Sequence, residues 1–302
     1  YISRLSMDES QKDCTRKEIL KLNKSEFIDA WEKGIGAIEA AIEYFISYYR
    51  IPVSQLLPYN ALIVPFAYFF YHNTNKPTGA KQKYLQDYFW RCALSGRFSS
   101  SVETKLGQDV KRIDAILNEE LPKYDWTIDI SEEGIINHGW FSAGRSYIKA
   151  ILCIYAYQQP KSFNDGSLVN ISNYWLKQAN SKNYHHFFPK AYLAKQNTDF
   201  FHVNHIANIT IVDDFLNKRE IGAKSPAFYM RKFIKQNEDI ETTMKSHLIN
   251  DLEAFGILEN DYDRFFEKRI IAIHKELKKR IILQDSDEIT NVSLPSNEDT
   301  VE

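Results

Sequence analysis

The sequence is poor in the residues that build turns, crosslinks and membrane spans. Glycine supplies only 11 of 302 positions and proline 9, and the glycine share is about half the usual one. An all-β chain with many tight turns needs more of both, so the expected fold class is mainly α. The three cysteines, Cys14, Cys92 and Cys153, lie far apart with no CxxC pair. That excludes a disulfide framework and a cysteine-based zinc ribbon, and fits reduced, buried thiols in a cytoplasmic protein. The longest apolar run, Ala61 to Tyr71, contains Pro65 and falls well short of the roughly 20 residues that cross a bilayer. No membrane partner and no signal peptide are therefore expected. The chain opens on Tyr1 rather than Met, which reads as a fragment. An excess of either charge is also missing: 38 Lys and Arg stand against 40 Asp and Glu, a net charge of -2. This balance argues against a polycationic nucleic-acid coat but leaves room for a local basic groove.

Several catalytic signatures are absent. No GxSxG, P-loop or HExxH is present. Gly34-Ile35-Gly36 starts like a dinucleotide loop, but Glu39 stands where the third glycine belongs and no strand precedes it. Glu103-Thr104-Lys105 has the ExK spacing found in some metal sites, but it lacks a preceding Pro-Asp, lies in helical sequence and reads as a salt-bridging helix face.

What the chain does contain is length, apolar content and helical periodicity. At 44% hydrophobic over 302 residues it can bury a sizeable core, and at one domain per ~150 residues it divides into two. Residues 25–49 read as one amphipathic helix capped by Ser25, with Phe27, Trp31, Ile35, Ile38, Ile42 and Phe45 on one face. Further helices are expected at Ile63–His72, Gln82–Leu94, Glu103–Leu117 and Tyr147–Tyr157. Residues 1–158 thus form a helical domain. Gln159-Pro160 and Asn164-Asp165-Gly166 then break the pattern, marking 159–182 as a linker.

The texture changes beyond it. Tyr184 to Phe187 is a short strand stopped by Pro189, and Ile209-Thr210-Ile211-Val212 is the best strand signal in the chain. Asp213 is placed to cap a short helix ending near Gly222, and Ser225-Pro226 opens another. The last helix runs from about Asp261 to Leu283, within a second domain spanning 183–283. Residues 284–302 carry six acids and no base and read as an acidic disordered tail. With those acids set apart, the rest of the chain is net positive, much of it on the last helix.

Chemistry concentrates on Tyr184-His185-His186-Phe187-Phe188-Pro189, Asn204-His205-Ile206-Ala207-Asn208 and Asn217-Lys218. A His–His pair alone is weak, but here it ends one strand, Asn208 begins the next, and Asn217 falls inside the following helix. Asparagine is a poor helix former there, because its amide competes for backbone hydrogen bonds. His72, His138, His202, His247 and His274 lack paired ligands at metal-like spacing and read as structural or exposed, and His205 is closer to the motif, but its neighbours Asn204 and Asn208 explain the segment better.

Together these segments resemble the HNH, or ββα-metal, nuclease motif. More narrowly, His185 to Lys190, Asn204 to Thr210 and Lys224 to Tyr229 resemble the nuclease domain of GmrSD-type modification-dependent restriction proteins. Phe89 to Phe98 and Glu103 to Leu106 are similar to the stretch between that family's two functional domains. The resemblance implies a small ββα-metal motif embedded in helices, and an endonuclease that hydrolyses DNA, including modified phage DNA, in a prokaryotic defence system. It implies His185 and Asn217 as ligands of one divalent metal ion, His186 as general base, and Asn208 as the residue that orients His186. Lys190, Lys218 and Arg219 beside the motif, and Lys268 and Arg269 on the last helix, are the expected nucleic-acid contacts. Mg²⁺ is the first expectation for the metal. Because His185 stands where many such sites have Asp, Mn²⁺, Ni²⁺ or Zn²⁺ are also accommodated. The family carries an N-terminal nucleotide-hydrolysing domain with an Asp-Gly-Gln-Gln-Arg motif, which this chain lacks, so that domain is expected as a partner outside it. A non-catalytic helical interaction module with a degenerate motif, and an RNA-directed nuclease, are the alternatives.

Overall fold

The computed structural model describes residues 17, 20–21, 23–172, 184–212, 220–285 and 287. The chain is mainly helical, as its low glycine and proline content implies. It opens on α1 (Lys24–Ser47). The cap is Asn23 rather than the expected Ser25. The Asn23 side chain accepts the Glu26 amide at 2.9 Å and the Glu26 carboxylate accepts the Asn23 amide at 3.1 Å, a reciprocal capping box. The buried stripe also differs from expectation: Ala37, Ala41, Tyr44 and Phe45 are buried, whereas Phe27, Trp31, Ile35 and Ile42 are exposed. Both sets follow helical spacing. The small Ala37 and Ala41 let α2 (Ile63–His72) pack closely along their side, and α2 is buried almost all round. Pro65 fits its first turn, where no amide is needed.

α3 (Gly79–Ser95) ends where Gly96 adopts a φ of 71°, a left-handed cap that any β-carbon would disfavour. α4 (Val102–Leu117), α5 (Glu132–His138) and α6 (Ser146–Tyr157) follow. Aromatic rings fill the core between these helices: Tyr49 stacks on Phe89 at 4.4 Å and Phe45 lies 4.6 Å from Phe66. Cys92 and Cys153 are buried there as free thiols, and burial pushes both up from the usual thiol pKa.

Two strands pair among the described residues, β1 (Tyr184–His186) and β2 (Ile209–Ile211). Between them run α7 (Lys190–Leu193) and α8 (Phe200–Val203). α9 (Pro226–Gln236), α10 (Ile240–Lys245) and α11 (Tyr262–Lys278) follow. Ser225 caps α9 by accepting the Phe228 amide, with Pro226 in the first turn, as its sequence signature predicts. The expected helix between Asp213 and Gly222 lies mostly outside the described residues.

A second cluster gathers Phe163, Phe187, Phe188, Tyr229, Phe233 and Phe265. α11 belongs to both clusters: Tyr262 and Phe265 pack in the second, and Ile270, Ile273 and Leu277 in the first. Tyr184, Ile206, Ile209 and Ile211 also pack against the N-terminal helices. Residues 160–169, expected within a linker, form a packed turn instead. Lys161 bridges Leu168, Phe163 is fully buried, and the Lys161 carbonyl accepts His247 Nε2–H at 2.7 Å. The acidic tail expected from residue 284 is anchored as far as Asp287. The buried Arg91 guanidinium donates to Asp87 on its own helix, to the Ile282 carbonyl and to Asp287, because one carboxylate cannot satisfy five N–H donors. No helix among the described residues is long and apolar enough to cross a membrane.

Segment 139–141 ties the first cluster to the loop between the strands. The Ile206 amide donates to the Gly139 carbonyl at 2.8 Å and the Phe141 amide to the Asn204 carbonyl at 2.9 Å. A β-carbon at Gly139 would stand 1.8 Å from His205 Nε2. Gly139→Ala is therefore expected to lower the unfolding free energy by about 1–3 kcal/mol, the usual cost of overpacking. A urea midpoint equal to wild type would contradict that contact.

Candidate functional site

The site is built on the β1–β2 hairpin, whose antiparallel register pairs Tyr184 with Ile211, His185 with Thr210 and His186 with Ile209. β1 ends at His186, and Pro189 stands at the cap of α7. The chain then returns through α8, capped by Asp199, which accepts the His202 amide at 3.2 Å.

Asn208 locks the two ends of this excursion together. Its Oδ1 accepts the Phe188 amide at 2.8 Å, and its Nδ2 donates to the carbonyls of Phe188 and Val203 at 3.0 Å each. The expected bond from Asn208 to the His186 ring is not made, because its amide is spent on backbone. Asn204 takes that role, with its Oδ1 lying 3.1 Å from His186 Nε2. The Asn204 Nδ2 donates to the Phe141 carbonyl at 3.2 Å, which fixes the amide's orientation and turns the oxygen toward His186. His186 Nε2 must then carry the proton, leaving Nδ1 as the basic nitrogen. Sequence reasoning missed this use of Asn204. The available signal was a second asparagine four residues before Asn208.

His186 is half-buried. Burial, then the Lys190 charge, depress its pKa to about 4, partly offset by Asn204. The ring is neutral at physiological pH and able to accept a proton. His185 is buried with its ring edge toward Tyr229 of α9. Burial, with smaller contributions from His186 and His247, pushes it down to about 3. Its Nδ1 is buried without a hydrogen-bond partner. Adjacent strand residues face opposite sides, and the two rings indeed meet different partners.

Lys190 is exposed at the start of α7, close enough for its charge to act on His186. Lys268 is half-buried on α11. Arg269 is not the expected surface contact. It is fully buried, donating to the carbonyls of Ala207 at 3.0 Å, Ile209 at 2.9 Å and His247, with its guanidinium over the Tyr155 ring. A group with all three nitrogens spent on backbone cannot bind phosphate. Asn217, Lys218 and Arg219 lie outside the described residues. Among the described residues no group of three or more His, Cys, Asp or Glu could hold a metal ion.

Two other histidines hold the scaffold. His205 Nδ1 accepts the Ala207 amide at 3.0 Å, so Nε2 carries the proton and faces the carbonyls of Ile135 and Ile136 at 3.2 Å. Burial depresses His205 and His247 to about 4 each. Both bind protons more readily unfolded, where the pKa is about 6.5. The stability they confer is complete above pH 6.5 and is lost as pH falls toward 4. Together they are expected to cost about 2–3 kcal/mol between pH 7.5 and 5.5, read as a lowered urea midpoint. Equal midpoints at the two pH values would refute the neutral, buried state of this pair.

No family model matches the chain, and no solved structure matches it. It is similar to the uncharacterized protein MJ0686 of Methanocaldococcus jannaschii, 25% identical over 296 residues, covering 89% of this chain and 48% of that protein. The chain therefore spans about half the length of that curated relative.

Proposed function

We propose that this chain is a metal-dependent endonuclease that hydrolyses DNA phosphodiester bonds through an HNH, ββα-metal site on the β1–β2 hairpin, as the nuclease portion of a GmrSD-type restriction protein in phage defence. The observation that carries this reading is the neutral His186 ring. Asn204 fixes its tautomer, the basic Lys190 stands beside it, and the preceding His185 has an unpartnered ring nitrogen. His186 removes the proton from the attacking water at Nδ1, and Asn204 keeps that nitrogen unprotonated. Lys190 attracts the phosphate. Asn208 keeps the loop closed so that His186 and Lys190 hold their spacing.

The neutral His185 imidazole has the donor chemistry a divalent ion requires, and Asn217 would be the second protein ligand. When bound, the ion would offset charge developing on the phosphate and the leaving oxygen. In this reading the partners are DNA, including modified phage DNA, and a nucleotide-hydrolysing domain N-terminal to this chain.

The test is cleavage of supercoiled plasmid with Mg²⁺ or Mn²⁺ and its loss in EDTA, beside calorimetric Mn²⁺ titration. Asn217→Ala is expected to weaken Mn²⁺ binding at least about 10-fold. Cleavage confined to RNA would move the reading to an RNA-directed nuclease. Neither cleavage nor Mn²⁺ binding would leave a non-catalytic module.

A further inference from the structure

A cleft of about 630 Å³, lined by no residue of the hairpin, lies among Tyr59, Ser95, Asp129, His138, Arg145 and Tyr147. It lies between the end of α3, the 127–129 segment, the end of α5 and the start of α6. Its volume is in the range of small-molecule sites.

Two independent features point to an anionic ligand. The first is the N-terminus of α6, a helix of 12 residues whose cap is Arg145 and whose first turn no side chain caps. Helix starts normally carry Ser, Thr, Asp or Asn to accept those amides. Here the amides and the positive end of the helix dipole are left for something else, and the exposed Arg145 side chain, whose guanidinium donates to the Trp140 carbonyl at 3.3 Å, keeps further N–H donors. The second is a pair of orphaned hydroxyls. Tyr147 is 8% exposed and its hydroxyl is buried with no hydrogen-bond partner, and the Ser95 hydroxyl is buried and unpartnered as well. Both residues line the cleft. Burial pushes the Tyr147 phenol up from its usual pKa, with smaller opposing contributions from the charges of Asp129 and Arg145, two other lining residues. Buried hydroxyls left without partners are costly in a folded chain, and a bound acceptor would relieve that cost.

The remaining groups narrow the ligand. Tyr59 donates its hydroxyl to Ser146 Oγ at 2.7 Å, which leaves the Ser146 hydroxyl hydrogen to donate. Asp129 is the carboxylate among the lining residues. Its Oδ1 accepts the amide and hydroxyl of Ser131 and its Oδ2 lies against Gly134 without a hydrogen bond, so Oδ2 keeps lone pairs for a ligand. The cleft is thus lined by several hydroxyl donors, a guanidinium and a carboxylate.

We infer that this cleft binds a small phosphorylated molecule bearing a hydroxyl, with its phosphate at the start of α6 against Arg145, Ser95 and Tyr147, and its hydroxyl on Asp129. The site is separate from His185 and His186 and does not depend on the nuclease reading.

Calorimetric titration of the full chain with ribose 5-phosphate, inorganic phosphate and ribose, at matched ionic strength in chloride, tests it. Ribose 5-phosphate should bind saturably and more tightly than inorganic phosphate, and ribose should not bind measurably. Arg145→Glu should weaken ribose 5-phosphate at least 10-fold. Tyr147→Phe should weaken it about 5-fold while leaving the ligand-free melting temperature unchanged or raised, because the deleted hydroxyl had no partner. That last pairing separates a ligand role from a packing role. Inorganic phosphate binding as tightly as ribose 5-phosphate would overturn the assignment of Asp129. Absence of binding, or wild-type affinity in both variants, would overturn the site.

Discussion

His186→Ala is expected to lower metal-supported plasmid cleavage by about 100- to 10,000-fold, the usual contribution of a general base, with an unchanged circular dichroism spectrum. The ring is half-buried and its main polar attachment is Asn204, so truncation removes little packing. What it removes is a neutral imidazole whose Nδ1 is free to take a proton. Asn204→Ala, which frees the tautomer but leaves the imidazole, should produce a smaller loss together with a shifted pH–rate profile. A folded His186→Ala protein that cleaves at the wild-type rate would exclude His186 as the base.

Arg269→Met is expected to destabilise the fold by about 3–5 kcal/mol, comparable to stripping a partner from a buried charged group. The guanidinium joins three carbonyls from separate places: Ala207 before β2, Ile209 within it, and His247 after α10. Methionine fills much of the volume but strands all three acceptors, each at a cost of about 1–3 kcal/mol. Arg269→Lys should recover only part of the loss, because an ammonium lacks the planar fork that reaches three directions. Chemical denaturation measures both variants. A Met variant as stable as wild type would mean that these carbonyls find other partners.

Arg269 also marks where sequence reading stops. On the helical repeat of the last helix it falls on the apolar face, four residues after Phe265 and four before Ile273, away from Lys268 and Lys275, but nothing local says which groups would receive a buried guanidinium. Its burial follows from α11 crossing behind β2, which brings three backbone carbonyls to one point. α1 carries the same lesson. Phe27, Trp31, Ile35 and Ile42 form a regular apolar stripe, yet the buried stripe runs through Ala37, Ala41, Tyr44 and Phe45. Periodicity identifies a helix but does not choose between two apolar faces, whereas the close approach of α2 does. By contrast, Ser225-Pro226 at the start of α9 and the β-branched run of β2 were legible, because a cap and a strand propensity act within a few residues.

The sequence by itself determined a mainly helical chain, the two short strands, the first carrying His185 and His186, and the placing of Asn208 just before the second. These follow from composition, backbone preference and short spacings, which need no distant partner. Only the tertiary structure decided that Asn204 holds His186 while Asn208 braces Phe188 and Val203, and that Asp287 is drawn into the core by Arg91. The physical reason is the same in each case. A polar side chain is satisfied by whatever donors and acceptors packing brings near, and here they come from Phe141, 63 residues before Asn204, and from Asp287, 196 residues after Arg91.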